Sequence, residues 1–258
     1  MDLGLHQKVV LITGGTDGLG LALAHRLIGE GAAVAICGRN VERLAGAEHA
    51  LISSGGDVLA VQADVERAEG IGRLVDGAVA RWGQIDGIVH NAGRSAAGPL
   101  EQTDDSVWES DLQLKLMGAV RLTRMALPHL RQSKGSALFT LAMAAKAPGP
   151  ASGPSSVSRA AGLALMKSLS KELGPDGIRV NALLIGLMES GQWARLAAGA
   201  GKSLPEFYVD MGTNAGIPLG RVGRAEEFAD VAAFLLSGRA SYLTGTAINL
   251  DGGLSPVA

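Results

Sequence analysis

The chain has 258 residues, a formal net charge of -2 at pH 7 and 47% hydrophobic residues. This near-neutral charge excludes the strongly basic surface that binds nucleic acid. No apolar run reaches the length of a membrane-spanning helix, so the sequence predicts no membrane partner.

The single cysteine, Cys37, excludes an internal disulfide framework and favours a reducing compartment. Because no apolar run precedes Lys8, we expect no signal peptide and a cytoplasmic location. The apolar neighbours of Cys37 indicate a small buried side chain rather than a reactive thiol. No linker or low-complexity segment divides the chain, which predicts one domain over residues 1–258. No cluster of His, Cys and Asp has metal-ligand spacing, so no metal is expected.

Seven short apolar runs rich in β-branched residues predict strands buried on both faces. They cover residues 8–13, 33–37, 57–61, 87–90, 136–141, 179–184 and 246–250. Amphipathic stretches lie between them, such as the stripe of Leu19, Leu23 and Leu27 that ends at Gly31. This alternation predicts a doubly wound α/β sheet of the Rossmann type. Residues 187–217 lack a strand pattern and are interpreted as a substrate-side lid.

A glycine-rich turn follows the first strand and opens the first helix. Gly14 permits the tight turn, while Gly18 and Gly20 let the backbone approach phosphate oxygens. The helix N-terminus adds free N–H groups and a partial positive charge. A plain strand-to-helix turn is the alternative interpretation. The predicted pyrophosphate site comprises Gly14, Thr16, Asp17, Gly18, Leu19 and Gly20.

The end of the second strand bears on the choice between NAD and NADP. A carboxylate there would accept hydrogen bonds from the ribose 2′-OH and repel a 2′-phosphate. The sequence instead reads Gly38-Arg39-Asn40, and Arg39 can form a forked contact with phosphate. This favours NADP over NAD. Asp17 in the glycine turn argues the other way, and a solvated surface arginine is the alternative for Arg39.

Several sequence motifs together resemble those of the short-chain dehydrogenase/reductase family. They occur between Lys8 and Gly253 in the same order as in that family. The resemblance is to the group with many 3-oxoacyl-thioester reductases and sugar or steroid dehydrogenases. The motifs are Thr13-Gly14-x-x-x-Gly18-x-Gly20, Asn91-Ala92-Gly93, Gly177-Ile178-Arg179-Val180-Asn181-Ala182, Pro218-Leu219-Gly220-Arg221 and Thr244-Gly245…Asp251-Gly252-Gly253.

The resemblance implies further cofactor contacts. Asp64 and Val65 should lie at the adenine ring, and residues 91–93 should line the central part of the cofactor. Gly186 takes the family's Pro-Gly position beside the nicotinamide, without the proline. Ser190 stands where a threonine often binds the carboxamide or the phosphates. The resemblance also implies a homotetramer assembled through the helices that carry Lys115 and Arg159.

By the same resemblance, all four positions of the family's proton-transfer residues are changed. Ala142 replaces the serine at the end of the fifth strand, and Ser155 replaces the tyrosine. Arg159 replaces the lysine, and Lys115 replaces the asparagine of the proton relay. An unassisted serine hydroxyl is a far weaker acid than a phenol. Arg159 can still hold ribose hydroxyls, although it stays protonated.

Three side chains are candidates for a replacement proton donor. Lys115 is favoured because it takes a cleft-facing relay position, where burial can tune its ammonium group. For Lys146 a solvated loop position is the favoured interpretation, and for Tyr208 it is packing within the lid. Ser155 can equally serve as a helix N-terminal hydroxyl after Pro154.

Three functions remain open on this basis. The favoured one is an NAD(P)-dependent oxidoreductase that uses a non-standard proton donor on a small carbonyl, alcohol or enoyl substrate. Apolar side chains after Gly186 favour an apolar ligand, although such a stripe is as often lid packing. The alternatives are a cofactor-binding pseudo-enzyme that acts as a sensor or assembly partner, and a non-redox enzyme that reuses the cleft.

Overall fold

The computed structural model describes residues 2–258, apart from the side chains of residues 192 and 195. Its strands form one parallel sheet in the order β3-β2-β1-β4-β5-β6-β7. Each strand lies within one residue of its predicted bounds at either end. The strands are β1 (Val9–Thr13), β2 (Ala33–Gly38), β3 (Val58–Gln62), β4 (Gly87–His90), β5 (Ser136–Ala142), β6 (Arg179–Ile185) and β7 (Ala247–Leu250).

Helices connect the strands and cover both faces of the sheet. A π-helical turn, Gln113–Met117, joins α4 to α5 in one continuous helical stretch. The helices are α1 (Gly18–Gly29), α2 (Val41–Ser53), α3 (Ala68–Trp82), α4 (Asp105–Leu112), α5 (Gly118–Ser133), α6 (Ser155–Leu173), α7 (Gly191–Gly199), α8 (Leu204–Asn214) and α9 (Ala225–Leu236).

The core has two layers because the central strands are apolar on both faces. All five residues of β1 are buried, and its first four, Val9 to Ile12, alternate between the two layers. One layer includes residues from α3, α5 and α6, and the other includes residues from α1, α2 and α9. The structure thus confirms the predicted doubly wound α/β fold with a single sheet. Cys37 is 1% exposed, as expected for a small core residue.

The sheet places a cleft beside β1 and β4. The chain builds β1, β2 and β3 outward in one direction and then returns to add β4 on the other side of β1. Ligands of such sheets bind at the carboxyl ends of the strands where the order reverses. The glycine turn, residues 91–94, the end of β5 and the start of α6 all lie at this edge.

Residues 187–217 form a helical segment beyond β6. The segment contains α7 and α8, and its one described bridge joins Met188 to Gly223. The Nε1 of Trp193 donates to the carbonyl oxygen of Met188 at 2.9 Å, and the Trp193 and Phe207 ring centroids are 6.5 Å apart. The aromatic residues therefore tie α7 and α8 to the chain that leaves β6. Every helix among residues 2–258 is too short or too polar to cross a membrane.

Candidate active site

The glycine turn has the conformation that its sequence predicts. Gly14 and Gly18 have φ angles of 68° and 52°, in the left-handed region that favours glycine. The side-chain amide of Asn91 donates to the carbonyl oxygens of Thr13 and Gly14, both at 3.0 Å, and so fixes the turn to the end of β4. The backbone of the turn is left open toward the cleft.

Gly20 has a steric role that its place in the turn did not indicate. A Cβ atom on Gly20 would lie 2.3 Å from the carbonyl oxygen of Gly14 and 2.6 Å from the Asn91 amide nitrogen. Glycine is therefore required for α1 to pack against the turn. Within the described chain, Gly20 does not line the cleft, so its contact with the phosphates stays a prediction.

A cleft of about 620 Å³ runs from Arg39 past the glycine turn to Lys115. The catalytic candidates Lys115, Ala142 and Ser155 lie along the same cleft as the predicted cofactor residues. The open glycine backbone, the helix N-terminus and the basic end at Arg39 fit a phosphorylated dinucleotide. The predicted cofactor residues along it are Gly14, Thr16, Asp17, Gly18, Leu19, Arg39, Asp64, Val65, Asn91, Ala92, Gly93, Arg159, Gly186 and Ser190.

The Asp17 side chain occupies one of the backbone hydrogen-bond donors of the turn. Its Oδ1 accepts a hydrogen bond from the Gly18 N–H at 2.7 Å and caps α1. A Cβ atom on Gly191 would lie 1.8 Å from the Asp17 Oδ2, so the carboxylate packs against the start of α7. A phosphate that takes the Gly18 N–H must therefore displace this carboxylate.

Arg39 lies at the other end of the cleft with its guanidinium largely free. Its side chain is 61% exposed, and its ion pair with Glu66 spans 3.8 Å. Glu66 makes a shorter pair with Arg94, at 3.1 Å. Arg43 also lines this end of the cleft, a basic residue that the sequence analysis did not assign. The two arginines provide a cationic end suited to a phosphate group.

Lys115 lies in the π-helical turn and is almost fully enclosed, with 3% of its side chain exposed. Its Nζ is 2.5 Å from the Asp111 Oδ1 and donates to the Ser155 Oγ at 3.0 Å. Burial lowers the pKa of Lys115 to about 8, and the nearby Arg159 charge acts in the same direction. Such π-helical turns occur frequently at functional sites. The ammonium group is thus poised to exchange a proton near neutral pH.

Ser155 is the first residue of α6, and its hydroxyl makes two contacts that the sequence did not reveal. Its Oγ accepts from the Lys115 Nζ and from the Ala96 N–H at 2.9 Å. A hydroxyl has two acceptor lone pairs and one hydrogen, so that hydrogen remains for a group in the cleft. Its side chain does not cap α6. The expectation of an unassisted hydroxyl is wrong, because Lys115 supports it.

Arg159 lies beside this pair, one turn further along α6. Its guanidinium donates to the carbonyl oxygen of Thr140 in β5, and burial lowers its pKa to about 10. A Cβ atom on Gly93 would lie 2.8 Å from the Arg159 Nη2. The arginine thus packs against the backbone of residue 93 and places a second positive charge next to Lys115.

Comparison with known proteins identifies the family. A family model described as enoyl-(acyl carrier protein) reductase matches residues 14–255. The dehydrogenase/reductase SDR family member 4 of Bos taurus is 33% identical over 251 residues, which cover 96% of this chain and 88% of the relative. This chain belongs to the short-chain dehydrogenase/reductase family.

Two solved structures are similar along their whole length. An NADPH-bound short-chain oxidoreductase from Pseudomonas aeruginosa PAO1, which contains an atypical catalytic center, is 35% identical with a TM-score of 0.90 and covers 98% of this chain and 100% of that one. The L-sorbose reductase of Gluconobacter frateurii, complexed with NADPH and L-sorbose, is 31% identical with a TM-score of 0.94 and covers 100% of both chains. The NADPH in both structures agrees with the cofactor predicted from Arg39.

The other candidate donors of this short-chain dehydrogenase/reductase lie away from Ser155. The Lys146 Nζ donates to the carbonyl oxygen of the terminal residue Ala258 at 2.9 Å. The Tyr208 hydroxyl accepts from the Ser190 N–H at 3.2 Å. Neither residue lines the cleft as described for residues 2–258. Lys115 is therefore the candidate that the fold brings to the end of β5.

His90 is a buried residue at the end of β4. Its Nε2 lies 3.0 Å from the Thr123 Oγ1, and its ring centroid is 4.3 Å from that of Phe139. Burial lowers its pKa to about 3, so the ring is neutral at physiological pH.

In the described part of the chain, no group of three or more His, Cys, Asp or Glu side chains could hold a metal ion.

Two polar residues of the site, Asp111 and Ser158, were not predicted from the sequence. Asp111 accepts from the Ser158 Oγ at 2.6 Å in addition to its pair with Lys115. The spacing of Asp111 and Lys115, four residues along one helix, is the signal that could have identified the pair. Ser158 faces Asp111 from α6, and a lone serine in a helix gives no such signal.

Proposed function

We propose that this protein is an NADP(H)-dependent oxidoreductase in which Lys115 and Ser155 together replace the proton-transfer residues usual in the family. The hydrogen bond between the Lys115 Nζ and the Ser155 Oγ at the cleft carries this proposal. It joins a buried ammonium group to a hydroxyl whose hydrogen is free for substrate. The substrate is a small, largely apolar carbonyl or alcohol compound, or an enoyl compound.

The cofactor is NADP rather than NAD because Arg39 and Arg43 line the far end of the cleft and the end of β2 has no carboxylate. The bound nicotinamide supplies or takes up the hydride. The glycine turn and the N-terminus of α1 would hold the pyrophosphate, after the Asp17 carboxylate moves from the Gly18 N–H. Gly93, Gly186 and residues 64–65 would line the rest of the cofactor.

In the reductive direction, Ser155 donates its hydrogen to the substrate oxygen. The Lys115 ammonium group passes a proton to the Ser155 Oγ and becomes a neutral amine. A proton from solvent then restores the ammonium group. Ala96 holds the Ser155 Oγ in place through its N–H. Arg159 keeps its charge and neutralises negative charge that develops on the oxygen. Ala142 makes no polar contact in this scheme, so Ser155 performs the orienting role alone.

The lid assignment is part of the proposal. Residues 187–217 carry Trp193, which lines the cleft, and Tyr208, which bonds the backbone of Ser190. Movement of α7 and α8 would open and close the substrate side of the cleft. The Trp193 ring at the cleft favours a substrate with an apolar body.

The test is NADPH oxidation with two panels of substrates, ketones and conjugated enoyl thioesters, with product identification. We expect wild-type turnover with at least one panel. Lys115→Met should lower kcat by about 10²–10⁴-fold while NADPH affinity stays the same, because the lost group acts in the transition state. Lys146→Met is the matched control, since this lysine contacts the chain terminus, and it should keep full activity.

Two outcomes would contradict the proposal. Tight NADPH binding without turnover on either panel would favour the pseudo-enzyme. Hydrolysis of the thioesters without oxidation of NADPH would favour the non-redox enzyme, with Ser155 as its nucleophile.

We also propose that the protein forms a homotetramer through the outer faces of α5 and α6. In the first half of α6 the exposed residues are Val157, Ala160 and Ala164, whose short side chains allow a close helix contact. Gly162 and Met166 face the core instead and cannot contribute to the contact. Sedimentation at micromolar concentration tests the assembly, and Ala160→Glu should dissociate it. A wild-type monomer would contradict it.

A further inference from the structure

Asp111 is buried behind Lys115, and a buried carboxylate needs a specific reason. Its side chain is 1% exposed, near the end of α4. Its two oxygens are held separately, Oδ1 by the Lys115 Nζ at 2.5 Å and Oδ2 by the Ser158 Oγ at 2.6 Å. Buried ion pairs often contribute no more to stability than apolar residues of the same volume. The pair is therefore better explained by what it does to Lys115.

Charges from three directions act on the Lys115 ammonium. Arg159 on α6 and Arg94 on the loop after β4 both lower the pKa of Lys115, in addition to burial. Asp111 opposes them and raises it, through its hydrogen bond and its charge. Among the described charged groups that act on Lys115, Asp111 alone favours the protonated form.

The same contact sets the direction of the ammonium group. The Lys115 Nζ lies 2.5 Å from the Asp111 Oδ1 and donates to the Ser155 Oγ, so the ammonium group is held between the two side chains. Ser158 fixes the carboxylate from the opposite helix. The order along this chain of contacts is Ser158, Asp111, Lys115 and Ser155, which ends at the cleft.

We propose that Asp111 is a positioning residue that keeps the Lys115 ammonium protonated and aimed at the Ser155 hydroxyl. The proposal rests on the proposed function, since the proton delivered to Ser155 comes from Lys115. Asp111 does not touch the substrate. Its loss changes the proton supply and leaves the cofactor site intact.

The experiment compares Asp111→Asn, Asp111→Glu and wild type by two measurements. The first follows the titration of the Lys115 side chain by nitrogen NMR without substrate, assigned with Lys115→Met. We expect Asp111→Asn to lower the pKa of Lys115 by about one to three units, the range for removal of an adjacent opposite charge. Asp111→Glu keeps the charge and should restore most of that shift.

The second measurement is the pH profile of kcat for NADPH-dependent reduction, together with NADPH affinity. In Asp111→Asn the decline of kcat should begin at a lower pH, so that activity lost at neutral pH returns as the solution is acidified. NADPH affinity should stay the same. A purely structural role would lower kcat equally at every pH and would not be rescued by acid.

The outcomes separate this proposal from the proposed function. An unchanged Lys115 titration in Asp111→Asn overturns the role of Asp111, whatever the activity. A shifted titration combined with full activity of Lys115→Met would support the control of Lys115 by Asp111 and overturn Lys115 as the donor. If Asp111→Asn does not fold, Asp111→Ser, a smaller neutral residue, takes its place in the same titration and should lower the pKa of Lys115 in the same direction.

Discussion

The Ser155 Oγ lies 3.0 Å from the Lys115 Nζ although the two residues are 40 positions apart. The contact forms where the N-terminus of α6 meets the π-helical turn between α4 and α5. Both side chains are held by second contacts, Ser155 by the Ala96 N–H and Lys115 by Asp111. The arrangement couples a weakly acidic hydroxyl to an ammonium group with a lowered pKa. Neither residue alone would form such a proton-transfer pair.

The first prediction is that turnover depends on pH through Lys115. Reduction requires the protonated lysine, whose pKa is about 8, so kcat should be constant at lower pH and fall above about 8. Oxidation of the alcohol requires the neutral amine, so its kcat should rise through the same range. Steady-state kinetics in both directions measure this.

Ser155→Ala tests the other half of the pair. It should lower kcat by about 10²–10⁴-fold, because the hydrogen that reaches substrate is removed. Ser156→Ala is the control, since the neighbouring serine bonds Ser152 and not Lys115. Equal activity of Ser155→Ala and wild type would show that Lys115 reaches the substrate without the hydroxyl.

The second prediction concerns the glycine turn. Gly18→Val should abolish binding of both dinucleotides, because a β-branched residue is strained at φ 52° and its Cβ would lie 3.4 Å from the Ser190 Cβ. The sheet should stay folded by circular dichroism. Gly46→Val in α2, where a Cβ meets nothing within 4 Å, is the control and should bind normally by calorimetry.

The third prediction is that Arg39 selects the phosphorylated cofactor. Arg39→Ala should weaken NADPH binding by about 1.5–3 kcal/mol, the range for hydrogen bonds to charged groups, and leave NADH binding nearly unchanged. Isothermal titration with both dinucleotides gives the two affinities. Losses of the same size for NADPH and NADH would mean that Arg39 supports the loop rather than the phosphate.

The sheet could be predicted because its signal is local. Runs such as VVLIT in β1 are apolar at every position, and a strand buried on both faces requires this. The cofactor cradle could be predicted for a similar reason, since φ angles such as that of Gly14 restrict the residue type within one turn. In both cases the constraint lies in a few neighbouring residues.

The proton-transfer end of the site was harder to predict because its contacts join distant segments. Ala96, Lys115 and Ser155 come from a loop, a helical turn and another helix. Nothing in the sequence around Ser155 indicates that an ammonium group lies beside its hydroxyl. The steric role of Gly20 was likewise hidden, because it depends on how closely α1 packs on the carbonyl of Gly14.

The last prediction concerns stability and follows from His90. Its pKa is lowered from 6.5 to about 3 by burial, so the folded protein holds this ring neutral while the unfolded chain protonates it. Since the unfolded state binds the extra proton between these values, the free energy of unfolding is highest above pH 6.5 and falls with acid. This one group should remove about 1.4 kcal/mol for each pH unit in that window.

His90→Gln isolates this contribution. The variant loses the ring contact with Phe139 and should be less stable than wild type at neutral pH, but it has no imidazole to protonate. Its free energy of unfolding, measured by urea titration across the window, should therefore fall less steeply with acid than that of wild type. His49→Gln, at an exposed position of α2, is the control and should keep the wild-type slope. Parallel slopes for His90→Gln and wild type would mean that His90 takes up its proton in the folded state.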